Sequence, residues 1–181
     1  MEVKFVGSFG ENFPKDGKGH VVFIGRSNVG KSSLINMLVG RKIAQVSKEP
    51  GRTRSVNFFL IENIYLVDLP GYGFAKVSKK EREEWKRMIE NYFMNCWEDI
   101  KVVFLLIDCL VGPTDLDLEA INWIEAWKLP YLVVLTKCDR ANQGEIQKTL
   151  SKLKSYTNSQ VIITSSKEGK GKREMGKYVF S

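Results

Sequence analysis

Apolar residues in this chain come in short dense runs separated by polar stretches rich in glycine. Residues 20–24, 64–67, 101–108, 131–135 and 161–163 are each an almost unbroken run of Val, Ile, Leu and aromatic side chains. Runs of that length predict strands buried on both faces, as in a parallel sheet. Residues 55–61, β-branched and aromatic, predict a further strand. Between the runs the period changes to that of helices. Residues 33–39 continue as a helix that Gly40 ends, and Ser78 with Glu81 forms a capping box opening a helix through about residue 97. On that helix Trp85, Met88 or Ile89, Tyr92, Phe93 and Cys96 recur at helical spacing and are expected to face the core. Residues 115–128 form the next helix, with Leu116, Ala120, Trp123 and Trp127 along one side and Pro130 closing it, and 145–156 another. Strands alternating with helices predict an α/β fold of three layers: a mostly parallel sheet of about six strands, flanked by helices on both faces. At 181 residues this is a single domain. Residues 1–19 read as a lead-in able to dock on or pair with a sheet edge. Residues 168–181, basic, with three glycines and few apolar positions before Tyr178, make a poor helix. They are expected to be a frayed end or a basic extension.

The chemistry starts at the loop joining the first apolar run to the first helix, Gly25-Arg26-Ser27-Asn28-Val29-Gly30-Lys31-Ser32. The spacing G-x-x-x-x-G-K-S is that of a phosphate cradle, a P-loop. Gly25 and Gly30 let the backbone turn tightly and aim its N–H groups inward, while the following helix offers its positive dipole end to the same anions. Lys31 can reach β- and γ-phosphates, and Ser32 offers a hydroxyl to Mg²⁺ bridging them.

Two further motifs fall where strands give way to loops. Asp68-Leu69-Pro70-Gly71 is a D-x-x-G: Asp68 can hold the Mg²⁺ through water, and the Gly71 N–H can contact a γ-phosphate and be released when it leaves. Thr136-Lys137-Cys138-Asp139 is a T-K-x-D: the Asp139 carboxylate can accept from guanine N1–H and the 2-amino group, and adenine offers neither donor. Lys137 can lay its aliphatic stem over purine and ribose. Thr164, Ser165 and Ser166 form a loop able to present N–H groups to guanine O6. Within the polar segment 41–54, Thr53 can complete the Mg²⁺ shell and sense the γ-phosphate; taken alone it is more simply a β-favouring threonine.

Bulk properties narrow the setting. The net charge of +7 would draw the chain to polyanions such as RNA, although solubility explains it equally well. Cys96, Cys109 and Cys138, odd in number and widely spaced, suit neither a disulfide framework nor a zinc site and are expected to be reduced thiols. No run is long enough to span a bilayer and the N-terminus lacks the apolar stretch of a signal peptide, so a soluble cytoplasmic protein is expected. His20, the one histidine, has no catalytic or metal-ligating partner at useful spacing and reads as structural or solvent-facing.

With these motifs in this order, the chain resembles a translation-factor-class GTPase, and most of all the EngB (YihA/YsxC) family. The resemblance rests on residues 25–33 including Ser33, on Pro50-Gly51-Arg52-Thr53, on Asp68-Leu69-Pro70-Gly71-Tyr72-Gly73, on Gly112-Pro113-Thr114-Asp115, and on Thr136-Lys137-Cys138-Asp139. It implies GTP and GDP as ligands, with Mg²⁺ held by Ser32, Thr53 and Asp68, and Lys31, Thr53 and Gly71 serving catalysis. It also implies action in assembly of the large (50S) ribosomal subunit, on rRNA or its precursors, with effects on growth and cell division. The tail departs from the family, whose members end in an apolar helix. Tyr72 stands where many regulatory GTPases carry the glutamine that orients water, which predicts slow intrinsic hydrolysis. Asn28 resembles the asparagine that helps related GTPases bind K⁺; Arg52 and Arg54 are the in-chain alternatives. An adaptor that senses GTP and GDP and binds a protein partner, with incidental hydrolysis, is the other reading; a nucleotide kinase is a distant third. A monomer is expected, since no heptad or long exposed apolar strand is evident.

Overall fold

A computed structural model describes residues 2–44, 55–73 and 78–181. Among the described residues, seven strands form one sheet in the order β1-β3-β4-β2-β5-β6-β7. These are β1 (Val3–Phe9), β2 (Gly19–Gly25), β3 (Val56–Ile61), β4 (Ile64–Asp68), β5 (Ile100–Asp108), β6 (Tyr131–Thr136) and β7 (Val161–Ile163). The pairs β2–β4, β2–β5, β5–β6 and β6–β7 are parallel, whereas β3 pairs antiparallel with both β4 and β1. The strand in the lead-in makes the count seven where the apolar runs suggested about six.

Alternation along β5 shows how the layers are held. Val103, Leu105 and Ile107 face one apolar cluster and Val102, Phe104 and Leu106 the other, because successive side chains on a strand point to opposite faces. One cluster takes α2 (Lys79–Cys96), α3 (Asp115–Ala126) and α4 (Gln143–Lys154). The other takes α1 (Lys31–Val39) and α5 (Lys172–Val179). The inner face expected for α2 is present, with Ile89, Tyr92, Phe93 and Cys96 buried and Trp85 and Met88 packed at its margin.

Two expectations change, and for His20 the structural alternative holds. The tail is not frayed: α5 buries Met175 and Val179 beside Leu34 and Leu38 of α1. Each such burial contributes roughly 1.5–3 kcal/mol, enough to outweigh the poor propensity of Gly176. Gly169 and Gly171 do not break this helix; at φ +72° and +87° they make the turn that precedes it. On α3, Ala120 is buried and Trp123 and Trp127 pack on the core as expected, but Leu116 does not join them and Asp117 does. Ile121 and Ile124 are buried, Leu116 is 44% exposed, and Asp117 is 1% exposed. A buried carboxylate is tolerable only because every oxygen is hydrogen-bonded, as described below. Finally, His20 is fully buried in β2, with Nδ1 sharing a 2.8 Å hydrogen bond with the Tyr92 hydroxyl and Phe58 and Tyr65 around the ring. Burial holds its pKa down near about 4, so it is a neutral core residue.

Candidate functional site

The motifs meet at the C-terminal ends of the parallel strands, where ligands bind in open α/β sheets. Gly25 ends β2 where no side chain fits: a Cβ would lie 2.9 Å from the Leu106 carbonyl oxygen and 3.0 Å from Val29. The chain then swings over the start of α1, and Gly30 caps that helix at φ +98°. Arg26, Ser27, Ser32 and Ser33 are half-buried along this turn, Val29 is buried, and Asn28 is exposed at its tip with φ +65°. The backbone N–H groups at the start of α1 have no partner within the helix and carry its positive end, so the turn can hold phosphate.

Asp68 closes β4 beside this turn, 5% exposed, and its carboxylate is ion-paired with the Lys31 ammonium. Leu69 and Pro70 are buried and Gly71 lies flat on the P-loop: a Cβ on it would meet Ser27 N at 3.1 Å. The Trp85 indole N–H of α2 donates to the Pro70 carbonyl at 2.8 Å, fixing the turn from the other side.

The donors present suit Mg²⁺. The Ser32 hydroxyl and the Asp68 carboxylate are hard oxygen ligands, and among the described residues no cluster of three or more His, Cys, Asp or Glu can hold a metal by itself. Remaining positions would then fall to phosphate oxygens and water. Pro50, Gly51, Arg52, Thr53 and Arg54 lie outside the described residues.

The other end of the site is built from β6 and the segment after β7. The Thr136 hydroxyl, 3% exposed, donates to the Val29 carbonyl at 2.6 Å and braces the P-loop against β6. Lys137, at φ +57°, runs its stem across Gly30 and donates from Nζ to the Asn28 carbonyl at 2.7 Å. Its ammonium also stands 3.7 Å from Asp108. Cys138 turns inward, its N–H donating to the Thr164 carbonyl at 3.1 Å. Asp139 is left exposed at the rim, where the buried Ser165 hydroxyl donates to Oδ1 at 2.8 Å. That bond holds its carboxyl below the usual carboxylate range, so it stays an acceptor for two N–H donors. Thr164 is buried, donating to the Leu135 carbonyl, and Ser166 is half-buried at the loop's surface. Thr136, Cys138 and Thr164 thus support the residues beside them rather than face outward.

All three cysteines are free and buried, and burial raises the thiol of Cys138 to about 12 and that of Cys96 to about 11. Cys109 is likewise raised by burial. They serve packing rather than nucleophilic chemistry. Sequence reasoning missed the partner of Tyr72, which is Asp117 on α3. The available signal was the spacing Thr114-x-x-Asp117, which forms the capping box of α3.

Known proteins show the same layout. The family model described as "50S ribosome-binding GTPase" matches residues 20–137. The probable GTP-binding protein EngB of Aquifex aeolicus is 54% identical over 97% of each chain. Its counterpart in Thermotoga maritima is 49% identical over 91% of this chain and 86% of its own. The crystal structure of a probable EngB aligns with a TM-score of 0.73 at 27% identity, covering 90% of this chain and 97% of that one. Era, crystallised with MgGDPNP and nucleotides 1506–1542 of 16S ribosomal RNA, aligns with a TM-score of 0.71 at 26% identity over 89% of this chain and 55% of its own. Phosphate loop, D-x-x-G and T-K-x-D thus stand together on a fold shared along nearly the full chain: the protein belongs to the EngB family of GTP-binding proteins and is a P-loop GTPase.

Proposed function

We propose that this GTPase is a nucleotide-dependent switch in assembly of the large ribosomal subunit, acting on 50S particles or their rRNA. Its nucleotide site is read as follows. Backbone N–H groups of residues 25–33 and the Lys31 ammonium hold the phosphates, and Ser32, Asp68 and Thr53 hold Mg²⁺. Bound there, Mg²⁺ neutralises charge on the β- and γ-phosphates. Lys31 must then leave Asp68 for the phosphate oxygens, where it stabilises charge developing as the γ-phosphoryl passes to water. The Gly71 N–H reads the γ-phosphate. Asp139 selects guanine, oriented by Ser165, with N–H groups near Ser165 and Ser166 available to O6. Leu69 and Pro70 shape the turn beside the phosphates.

Slow intrinsic turnover is part of the proposal, because Tyr72 replaces a water-orienting glutamine and its hydroxyl is buried and engaged with Asp117. Asn28 at the exposed tip of the P-loop is the residue that would meet K⁺; a turnover rate indifferent to exchanging Na⁺ for K⁺ removes that element.

One observation carries the polyanion partner. Beside the base-binding loop, Lys167, Lys170, Lys172, Arg173 and Lys177 are all exposed, against Glu168 and Glu174 in the same stretch. Lys172, Arg173 and Lys177 are presented by the docked helix α5, and Lys167 and Lys170 by the turn that leads into it, which places the charges beside the base end of the site. The matching family's description supports the ribosome as the polyanion.

Co-sedimentation with purified 50S subunits, comparing a non-hydrolysable GTP analogue with GDP across a salt series, tests the reading. Binding in the GTP form that weakens steeply with salt is expected. Absence of binding in both states, or a protein partner retained after nuclease treatment, sends the search to the adaptor reading.

A further inference from the structure

Tyr72 follows the D-x-x-G turn, and the fold uses both its backbone and its hydroxyl. Its N–H donates to the Gly25 carbonyl at 3.1 Å and its carbonyl accepts from the Ser27 N–H at 2.8 Å, so the residue is stitched to the P-loop on both sides. Its hydroxyl donates to Asp117 Oδ1 at 2.6 Å. The other carboxylate oxygen of Asp117 accepts from the Thr114 N–H at 2.8 Å and the Thr114 hydroxyl at 3.0 Å, closing the capping box of α3. Both partners are buried, Tyr72 at 8% and Asp117 at 1% exposure, and the Tyr72 ring stands edge-on to Trp85. A strap therefore runs from α3 through Tyr72 to the phosphate loop. The arrangement sets a desolvated carboxylate at a helix position flanked by an exposed leucine, which a packing role alone does not require.

We propose that Asp117 is a positioning residue of this GTPase: through the Tyr72 hydroxyl it holds the Gly71–Tyr72 segment against the P-loop and presets the Gly71 N–H for the γ-phosphate. The inference rests on the reading of Gly71 given above. Held in place before binding, the turn has less conformational freedom to lose when GTP arrives. GDP, which lacks the γ-phosphate, gains nothing from it. Loosening the strap therefore weakens GTP selectively, a signature that plain destabilisation does not produce.

The test measures dissociation constants of wild type, Tyr72→Phe, Asp117→Asn and the double variant for GDP and for a non-hydrolysable GTP analogue, with Tm recorded alongside. Each single variant is expected to bind the GTP analogue about three- to tenfold more weakly, with GDP affinity changed less than about twofold, as befits one lost hydrogen bond. The double variant should be no worse than Asp117→Asn alone, because that substitution already disturbs the Tyr72 bond along with those to Thr114. A lowered Tm with an unchanged GTP-to-GDP ratio overturns the proposal, and so does a ratio shifted towards GTP. Failure of the wild type itself to discriminate the two nucleotides would instead remove the reading of Gly71 on which the proposal stands.

Discussion

The two ends of the nucleotide site are built on opposite principles. At the base end every functional group is held by bonds that nucleotide binding need not disturb: Ser165 to Asp139, Thr136 to the Val29 carbonyl, Cys138 to Thr164. At the phosphate end the key groups satisfy one another: Lys31 with Asp68, and Tyr72 with Asp117. Phosphate must displace the first of these pairs. On the proposed reading of the site, the base end is a preformed filter, while the phosphate end would exchange partners and so report which nucleotide is present. A switch needs that division, since a base filter that moved with hydrolysis would release the nucleotide along with the signal.

Substitutions can break the comparison, beginning with the largest expected effect. Asp139→Asn leaves the strand ends intact but turns an amide N–H donor towards the guanine donors in place of a carboxylate acceptor; GTP affinity should fall about a thousandfold, seen by equilibrium binding. Preference should move to a purine with a carbonyl at C2. If guanine binding survives, the filter is not where the geometry puts it. Lys31→Ala removes the cation that meets the phosphates and leaves Asp68 without its ion pair; single-turnover GTP hydrolysis should drop at least about a hundredfold. Base preference, measured as the ratio of GTP to ATP affinity, should stay as it was. A shared loss would mean that the two ends are not separable.

Gly171→Ala probes what supports the filter. Its Cβ would fall 2.6 Å from Thr164 Cγ2 and 2.8 Å from the Ile163 carbonyl at φ +87°, so about 2 kcal/mol of stability should be lost in urea unfolding. Weaker guanine binding should accompany it. Ser165→Ala is milder still, freeing Asp139 to rotate and raising the GTP dissociation constant about fivefold.

Acid offers a control remote from both ends. Folding lowers the pKa of His20 from 6.5 to about 4, so the unfolded chain binds the extra proton first. Stability contributed by the neutral ring is present above pH 6.5 and lost as pH falls towards 4, by up to about 3 kcal/mol. Unfolding at pH 7.5 and 4.5 should show the loss, and His20→Phe should reduce it.

The sequence was most legible where function depends on local spacing. A P-loop is a turn between adjacent elements, and D-x-x-G and T-K-x-D each follow an apolar strand, so position along the chain nearly specifies position in space. Helix α2 was legible for the same reason, its inner face repeating at helical period from Trp85 to Cys96, about three turns. The tail misled because Gly169 and Gly171 look like helix breakers in isolation. Their positive φ makes the turn before α5, and at Gly171 the close approach of Thr164 and Ile163 leaves no room for a side chain. Leu116 and Asp117 misled because hydrophobicity places leucine inside, while the Tyr72 hydroxyl makes the carboxylate the better core residue.

The chain itself, then, determined the alternation of strands and helices, the phosphate cradle and the guanine filter, all of which follow from side-chain period and short-range backbone geometry. Tertiary structure decided that Asp117 rather than Leu116 of α3 would be buried, that the tail would dock on α1, and that Tyr72 would reach Asp117, 45 positions further along. Those outcomes turn on pairing buried polar groups and on close approaches between segments far apart in sequence. No local pattern encodes them, because the cost of each arises only when distant parts of the chain meet.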